Sequence, residues 1–178
     1  MGHKHTREEI LAGAIEVAFR DGLSRLTYGR VAKHLGINDR TVVYYFPTKD
    51  DLINDVLTSM GTELQETLAP ALDQPAADHV ELLRIAWPIL TTDDADRVFA
   101  LFFEANGLAV IGRDPYRSAV RGLVAVWIEW VAELIDGDDE HRRGEAETAI
   151  AVLDGLLLLR LLAGAAAGRR AAARLGII

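Results

Sequence analysis

Residues 27–52 read "TYGRVAKHLGINDRTVVYYFPTKDDL", and the order of caps and breakers in this stretch decides the fold. Thr27 caps a short helix that holds Val31, Ala32 and Leu35 and stops at Gly36, a residue that takes positive φ without steric cost. Asn38 caps a second short helix through Thr41, Val42 and Tyr45, and Pro47 ends it. Thr48 then opens a longer helix, with Asp50 and Asp51 in the first turn, where the helix dipole favours anions. Two short helices joined by a glycine turn are a helix-turn-helix candidate. Ala32 is small where the two must cross, and Ile37 and Val42 close the core between them. Asn38, Asp39, Arg40 and Thr41 then form an exposed first turn, the part of a recognition helix that meets base edges in the major groove.

Outward from this stretch the chain stays helical. Thr6 and Glu9 form a capping box, and apolar residues from Ile10 to Phe19 recur at three- and four-residue spacing until Gly22 closes the helix. Beyond Pro70, "APALDQPAAD" (69–78) reads as a connection. Helices are predicted near 77–91, 94–110, 115–135 and 140–166, with a short one after Gly168. No run of alternating β-branched residues appears, so the fold class is all-α.

Charge is unevenly spread. The chain carries 19 Lys/Arg and 27 Asp/Glu, a net −8. Residues 1–50 hold eight of the cations and six of the acids, or +2; the remaining 11 cations and 21 acids make the rest −10. Within 22–49, five cations face Asp39 alone. A basic segment in an acidic chain points to a polyanionic partner, with a solvated basic face as the alternative.

Several function classes are disfavoured. There is no cysteine, which removes thiol catalysis and thiolate zinc sites. The acidic clusters at 93–96 and 136–140 lack calcium-loop spacing, and His79 and His141 lack a metalloprotease partner. No catalytic motif, metal site or cofactor is expected. The apolar stretch 149–168 has bilayer length, but Asp154 and Arg160 would each cost about 2.5–3.5 kcal/mol at a bilayer centre. The N-terminus shows no apolar signal segment, so a cytoplasmic protein without a membrane partner is expected.

Residues 27–52, and the arrangement around them, closely resemble TetR-type (tetracycline-repressor-like) transcriptional regulators. The aromatic-x-x-Lys junction formed by Phe46 and Lys49 is the most diagnostic piece, and the specific resemblance covers roughly residues 6–55. It implies a helix-turn-helix DNA-binding domain over 1–47, a connecting helix over 48–70, and a larger ligand-binding and dimerisation domain over 71–178. It also implies double-stranded operator DNA as a partner. Asn38, Asp39, Arg40 and Thr41 would face the bases, while Thr27, Tyr45 and Lys49 would contact phosphates. The family often has a tyrosine where this chain has Val43, and Tyr44 takes its place in the expected phosphate set. Arg40 stands where a small residue is common; arginine reads guanine O6 and N7 bidentately, with a phosphate contact as the alternative. Tyr45 can instead be core. Arg7 and the "GHKH" arm (2–5) can reach a neighbouring groove, or the arm is an expression remnant.

The second half holds most of the large rings. Trp87, Phe99, Phe102, Phe103, Asn106 and Trp127 are the expected lining of a small-molecule effector pocket, with His79, Glu104 and Glu129 as further polar candidates. Segments 120–135 and 149–163 are apolar on more faces than one bundle covers. A homodimer is expected, with Trp127, Trp130, Leu153 and Leu157 at its interface. The resulting expectation is a ligand-responsive DNA-binding regulator, a repressor released by a small molecule. A helical adaptor of the same fold without DNA binding is the alternative.

Overall fold

The computed structural model describes residues 5–178. Among them are nine α-helices and no strand: α1 (Arg7–Asp21), α2 (Tyr28–Leu35), α3 (Asp39–Tyr45), α4 (Lys49–Leu68), α5 (His79–Leu90), α6 (Asp93–Val110), α7 (Tyr116–Ala132), α8 (Asp139–Ala163) and α9 (Ala165–Arg174).

The starts and stops are made by the local chemistry of the sequence. Thr6 accepts from the Glu9 amide and the Glu9 carboxylate accepts from the Thr6 amide, at 3.2 and 3.1 Å, a closed capping box on α1. Thr27 accepts from the Arg30 amide at the start of α2, and Asn38 accepts from the Arg40 amide at the start of α3. Between these two helices Gly36 sits at φ 68°, the left-handed conformation that lets the chain reverse within three residues. Thr48 and Asp51 cap α4 reciprocally, the Thr48 amide donating at 3.0 Å and the Asp51 amide at 3.1 Å.

Two compact units are present, and they cut across the division along the chain that the sequence suggested. The first comprises Met1–Gly61 together with Leu101–Arg121, and the second Thr62–Ala100 together with Gly122–Ile178. The first unit takes in the end of α6 and the start of α7 because both are tied to its backbone: Glu104 and Tyr116 hydrogen-bond the chain at Leu23 and Ser24. Its core is fully enclosed, with Ile10, Val17, Leu23, Leu26, Val31, Val42, Phe46, Leu52 and Ile53 all at 0% exposure.

In the second unit, Leu83 and Trp87 of α5 pack with Leu156 of α8, Ala172 of α9 and Ile177 beyond it. Arg160 of α8 makes a two-armed ion pair with Asp96 of α6, at 2.7 and 2.9 Å, so the cation that argued against a bilayer span has its partner inside the protein. Among the described residues no helix is long and apolar enough to cross a membrane. The connection after α4 is stapled to the end of α7, as Ala76 donates to Leu134 and accepts from Asp136.

One helix boundary differs from the sequence reading. The break between α8 and α9 falls at Gly164, φ 88°, and not at Gly168. Gly168 lies within α9, where an added Cβ would stand 2.9 Å from Arg160 Cβ. It is a close-approach glycine, which sequence alone does not distinguish from a terminator.

Candidate nucleic-acid interface

The exposed turn of α3 is built by its own cap. Because the Asn38 side chain takes the Arg40 amide at 2.9 Å, its Oδ1 is committed to the backbone and not to a base. Asp39 and Arg40 are exposed, Thr41 is half-buried, and Val42 at 0% exposure anchors the helix to the core. Asp39 leans toward α2, since a Cβ at Gly29 would lie 3.4 Å from its Oδ2.

Ion pairing sorts the cations of this unit. Arg20 and Arg30 both bond Asp21, and these two guanidinium groups, Arg20 foremost, hold its carboxyl far below the usual carboxylate range. Arg7 is spent on Asp55 and lies over the Phe46 ring, 4.9 Å from its centre. Arg25, Lys33, Arg40 and Lys49 have no ion pair among the described residues. The positive charge left for a partner therefore sits on the connection before α2, on α2, at the tip of α3 and at the start of α4.

The tyrosine doublet divides its roles. Tyr45 is half-buried, and its hydroxyl donates to the His5 carbonyl at 2.9 Å. A phenol has one proton to donate, so the hydroxyl that sequence offered to a phosphate is already engaged in fastening the chain before α1. Tyr44 is 76% exposed and stacks edge-on against Tyr45, ring centres 4.9 Å apart. Val43, at the position where the resemblance led us to look for a tyrosine, is 40% exposed. The remainder of the "GHKH" arm, residues 2–4, lies outside the described residues.

Tyr28 is a polar feature that the sequence reading did not single out. Its buried hydroxyl has no hydrogen-bond partner, and burial, with the charges of Asp51 and Asp50, raises its pKa. The first position of α2, next to the Thr27 cap, was the only signal that could have marked it.

The residues expected around an effector are drawn from both units. Trp87, 6% exposed, is consumed by the α5/α8/α9 core. Phe99, also 6% exposed, and the half-exposed Trp127 belong to the second unit, whereas Phe102, Phe103 and Asn106 belong to the first. Asn106 keeps its buried Oδ1 without a donor. The other polar candidates are taken: His79 by Glu145 at 2.6 Å, Glu129 by Arg143 at 2.8 Å, and Glu104 by the backbone of residues 23 and 24. Among the described residues no group of three or more His, Asp or Glu is placed to hold a metal ion.

The interface expectation also shifts by one residue. Leu157 is 1% exposed and Leu153 packs against the α5/α8/α9 core, so both serve the chain's own interior. The exposed face of α8 runs through Thr148, Ala151, Gly155, Leu158, Leu159 and Leu162, with Leu162 at 79% exposure. On α7 the exposed residues include Gly122, Ala125 and Val126, while Trp127 and Trp130 are half-exposed and meet edge-on at 5.2 Å.

A capped helix pair, a glycine turn and an exposed first turn with unpaired cations beside it make a helix-turn-helix. Residues 10–56 match the family described as bacterial regulatory proteins, tetR family. Over 47 residues the chain is 38% identical to an HTH-type transcriptional repressor of Mycobacterium tuberculosis, a match spanning 26% of this chain and only 18% of that protein. Solved structures extend the likeness to nearly the whole chain. A transcriptional regulator from Rhodococcus sp. Rha1 aligns with TM-score 0.75 at 20% identity, over 98% of this chain and 96% of the other. The multidrug binding protein EbrR, solved with imidazole, aligns with TM-score 0.72 at 28% identity, over 99% and 96%. Residues 10–56 thus match the family's DNA-binding part, and nearly the whole chain shares the fold of these solved regulators.

Proposed function

We propose that this protein is a dimeric, cytoplasmic transcriptional repressor that leaves its operator when a small molecule binds. The observation that carries the reading is the sorting of cations in the first unit. Arg7, Arg20 and Arg30 are neutralised by Asp55 and Asp21, while Arg40, Lys49, Lys33 and Arg25 keep their charge for a partner. Arg40 reads a base edge, with Asp39 and Thr41 beside it. Thr27, Tyr44 and Lys49 hold phosphates on either side. Tyr44 supplies the aromatic contact in place of Tyr45, whose proton is committed to His5.

A second copy supports the reading geometry. Paired α7 and α8 faces would bury Leu158, Leu159, Leu162 and Val126, all 39% exposed or more in one chain. Two recognition helices would then meet half-sites about 34–36 Å apart. The effector is an aromatic molecule, because EbrR, 28% identical, has been solved with proflavin and with malachite green. The exposed part of Trp127 is the group offered to it. Effector binding favours a dimer geometry that no longer matches the half-site spacing, so DNA affinity falls by the coupling free energy.

The test is a gel shift of the purified protein on DNA upstream of its own gene, with proflavin as the effector probe. Expected are a retarded complex for the native protein, its weakening in Arg40→Ala and to a smaller degree in Lys49→Ala, and its release by proflavin. Binding that survives both substitutions unchanged overturns the DNA-reading assignment. Operator binding that is indifferent to proflavin overturns the effector class.

A further inference from the structure

Between Gly22 and Thr27 the chain must leave α1 and start α2 within six residues. It does so through one 3₁₀ turn, Leu23–Arg25, whose first amides have no acceptor within the turn. Two of those amides are taken by a single side chain from 80 residues downstream. The Leu23 N–H donates to Glu104 Oε2 and the Ser24 N–H to Glu104 Oε1, both at 2.9 Å. The Leu23 carbonyl accepts from the Tyr116 hydroxyl at 2.8 Å in a buried bond. The Leu23 peptide is thus gripped at its N–H by α6 and at its C=O by α7, with its side chain at 0% exposure.

Gly22 completes the grip. It stands at φ 89°, and a Cβ there would lie 3.1 Å from Glu104 Oε2, so glycine is required by both backbone and space. The electrostatics agree with the geometry. Burial raises the Glu104 pKa, but the bonds from Ser24 and Leu23 outweigh it and hold the carboxyl below its ordinary value. Burial, with the Glu104 charge nearby, pushes Tyr116 up to about 12, so its hydroxyl stays protonated as a donor.

We propose that Glu104 and Tyr116 are positioning residues for DNA reading, holding the α1–α2 connection so that Thr27 and the recognition helix packed on α2 match the operator. Neither residue lies in the helix-turn-helix sequence, and neither reaches the exposed turn. Their effect passes through the connection: its last residue, Leu26, is at 0% exposure, and Thr27 directly after it caps α2. Releasing the grip leaves two amides to be satisfied by water and the Leu23 carbonyl with only its bond from the Leu26 amide, and lets the start of α2 drift. That penalises specific contacts, which need register, more than contacts to a uniform phosphate backbone.

The inference rests on the DNA-binding reading above, and one experiment separates the two. The full-length native protein selects its operator from a random duplex pool. Fluorescence anisotropy at one fixed salt concentration then measures affinity for that operator and for a scrambled duplex. Selection of no sequence by the native protein overturns the DNA-binding reading, and the positioning role with it. Given an operator, Glu104→Gln is expected to weaken operator binding about tenfold and Tyr116→Phe about threefold, with scrambled-duplex affinity unchanged. A merely structural role would lower the melting temperature and leave the ratio of the two affinities where it was. A ratio within about twofold of the native value in both variants overturns the positioning role while leaving the DNA-binding reading intact. Should Glu104→Gln fail to fold, Tyr116→Phe, which removes one oxygen atom, decides alone.

Discussion

The two units of this molecule differ in the charge and apolar surface they leave unmatched. In the first, caps close on themselves within three residues, Arg7, Arg20 and Arg30 are matched to acids, and the cations left over gather where a partner is expected. In the second, Asp154 sits half-buried on α8 between Leu153 and Leu156 with no hydrogen bond or ion pair among the described residues, and burial alone raises its pKa to about 6. The same helix leaves Leu158, Leu159 and Leu162 uncovered. The first unit presents charge, and its stranded groups, Tyr28 and Asn106, are neutral. The other tolerates a stranded carboxyl and open apolar surface, as a region does whose final surroundings include a second copy or a ligand.

The sharpest way to break this contrast is to charge the open seam. Leu162→Asp is expected to give monomers by analytical ultracentrifugation at micromolar concentration and to weaken operator binding by about two orders of magnitude or more, since each half-site is then bound alone. A dimer that persists would show that the seam has another purpose. Next in size, Arg40→Ala should weaken operator affinity about tenfold or more per half-site and relax sequence preference at one base pair, read by anisotropy on operator variants.

Asp154→Asn tests the stranded carboxyl. The folded group holds its proton to about pH 6, whereas an ordinary aspartate ionises near 3.8. Between those values the folded state binds more protons than the unfolded, so stability falls as pH rises through the window, and the penalty remains above it. The substitution is therefore expected to stabilise the protein by about 1–3 kcal/mol at pH 8 in thermal melts, the gain fading toward pH 4. No gain at pH 8 would mean that a partner compensates the charge. The smallest expected effects separate the tyrosines and the lysine. Tyr44→Phe should cost about threefold in operator affinity, and Lys49→Ala should flatten the log–log salt slope by about one per protomer. Tyr45→Phe should act on thermal stability first, because its hydroxyl fastens His5.

Much of the candidate DNA-facing surface was legible because its caps and turns are made by short-range chemistry. Thr6 with Glu9, Thr27 with Arg30, Asn38 with Arg40 and Thr48 with Asp51 are bonds across two or three residues, and their partners can be read from spacing. Gly36 and Pro47 punctuate in the same local way. The reading failed wherever the partner was distant. Tyr45 looked like a phosphate ligand beside Lys49 until its proton was found on a carbonyl 40 residues back. Glu104 looked like a pocket residue until it was found on amides 80 and 81 residues away.

The second half shows the same limit for packing. Apolar residues on nearly every face of α8 announce a covered helix but not which face the chain covers for itself. Leu153 and Leu157 went to the interior, while Leu158 and Leu162, next to or one turn beyond them, stayed outside. Trp87 went to the core although its composition suited a pocket equally well. Sequence by itself determined an all-α chain, its caps and turns, the recognition turn and the uneven charge, because helix periodicity and capping are settled within one or two turns of backbone. Only the tertiary structure decided which cations are neutralised, which tyrosine is free, and that α6 and α7 reach back to grip the α1–α2 connection. Those outcomes depend on which distant groups the packing brings within 3 Å of each other, and no local spacing encodes that.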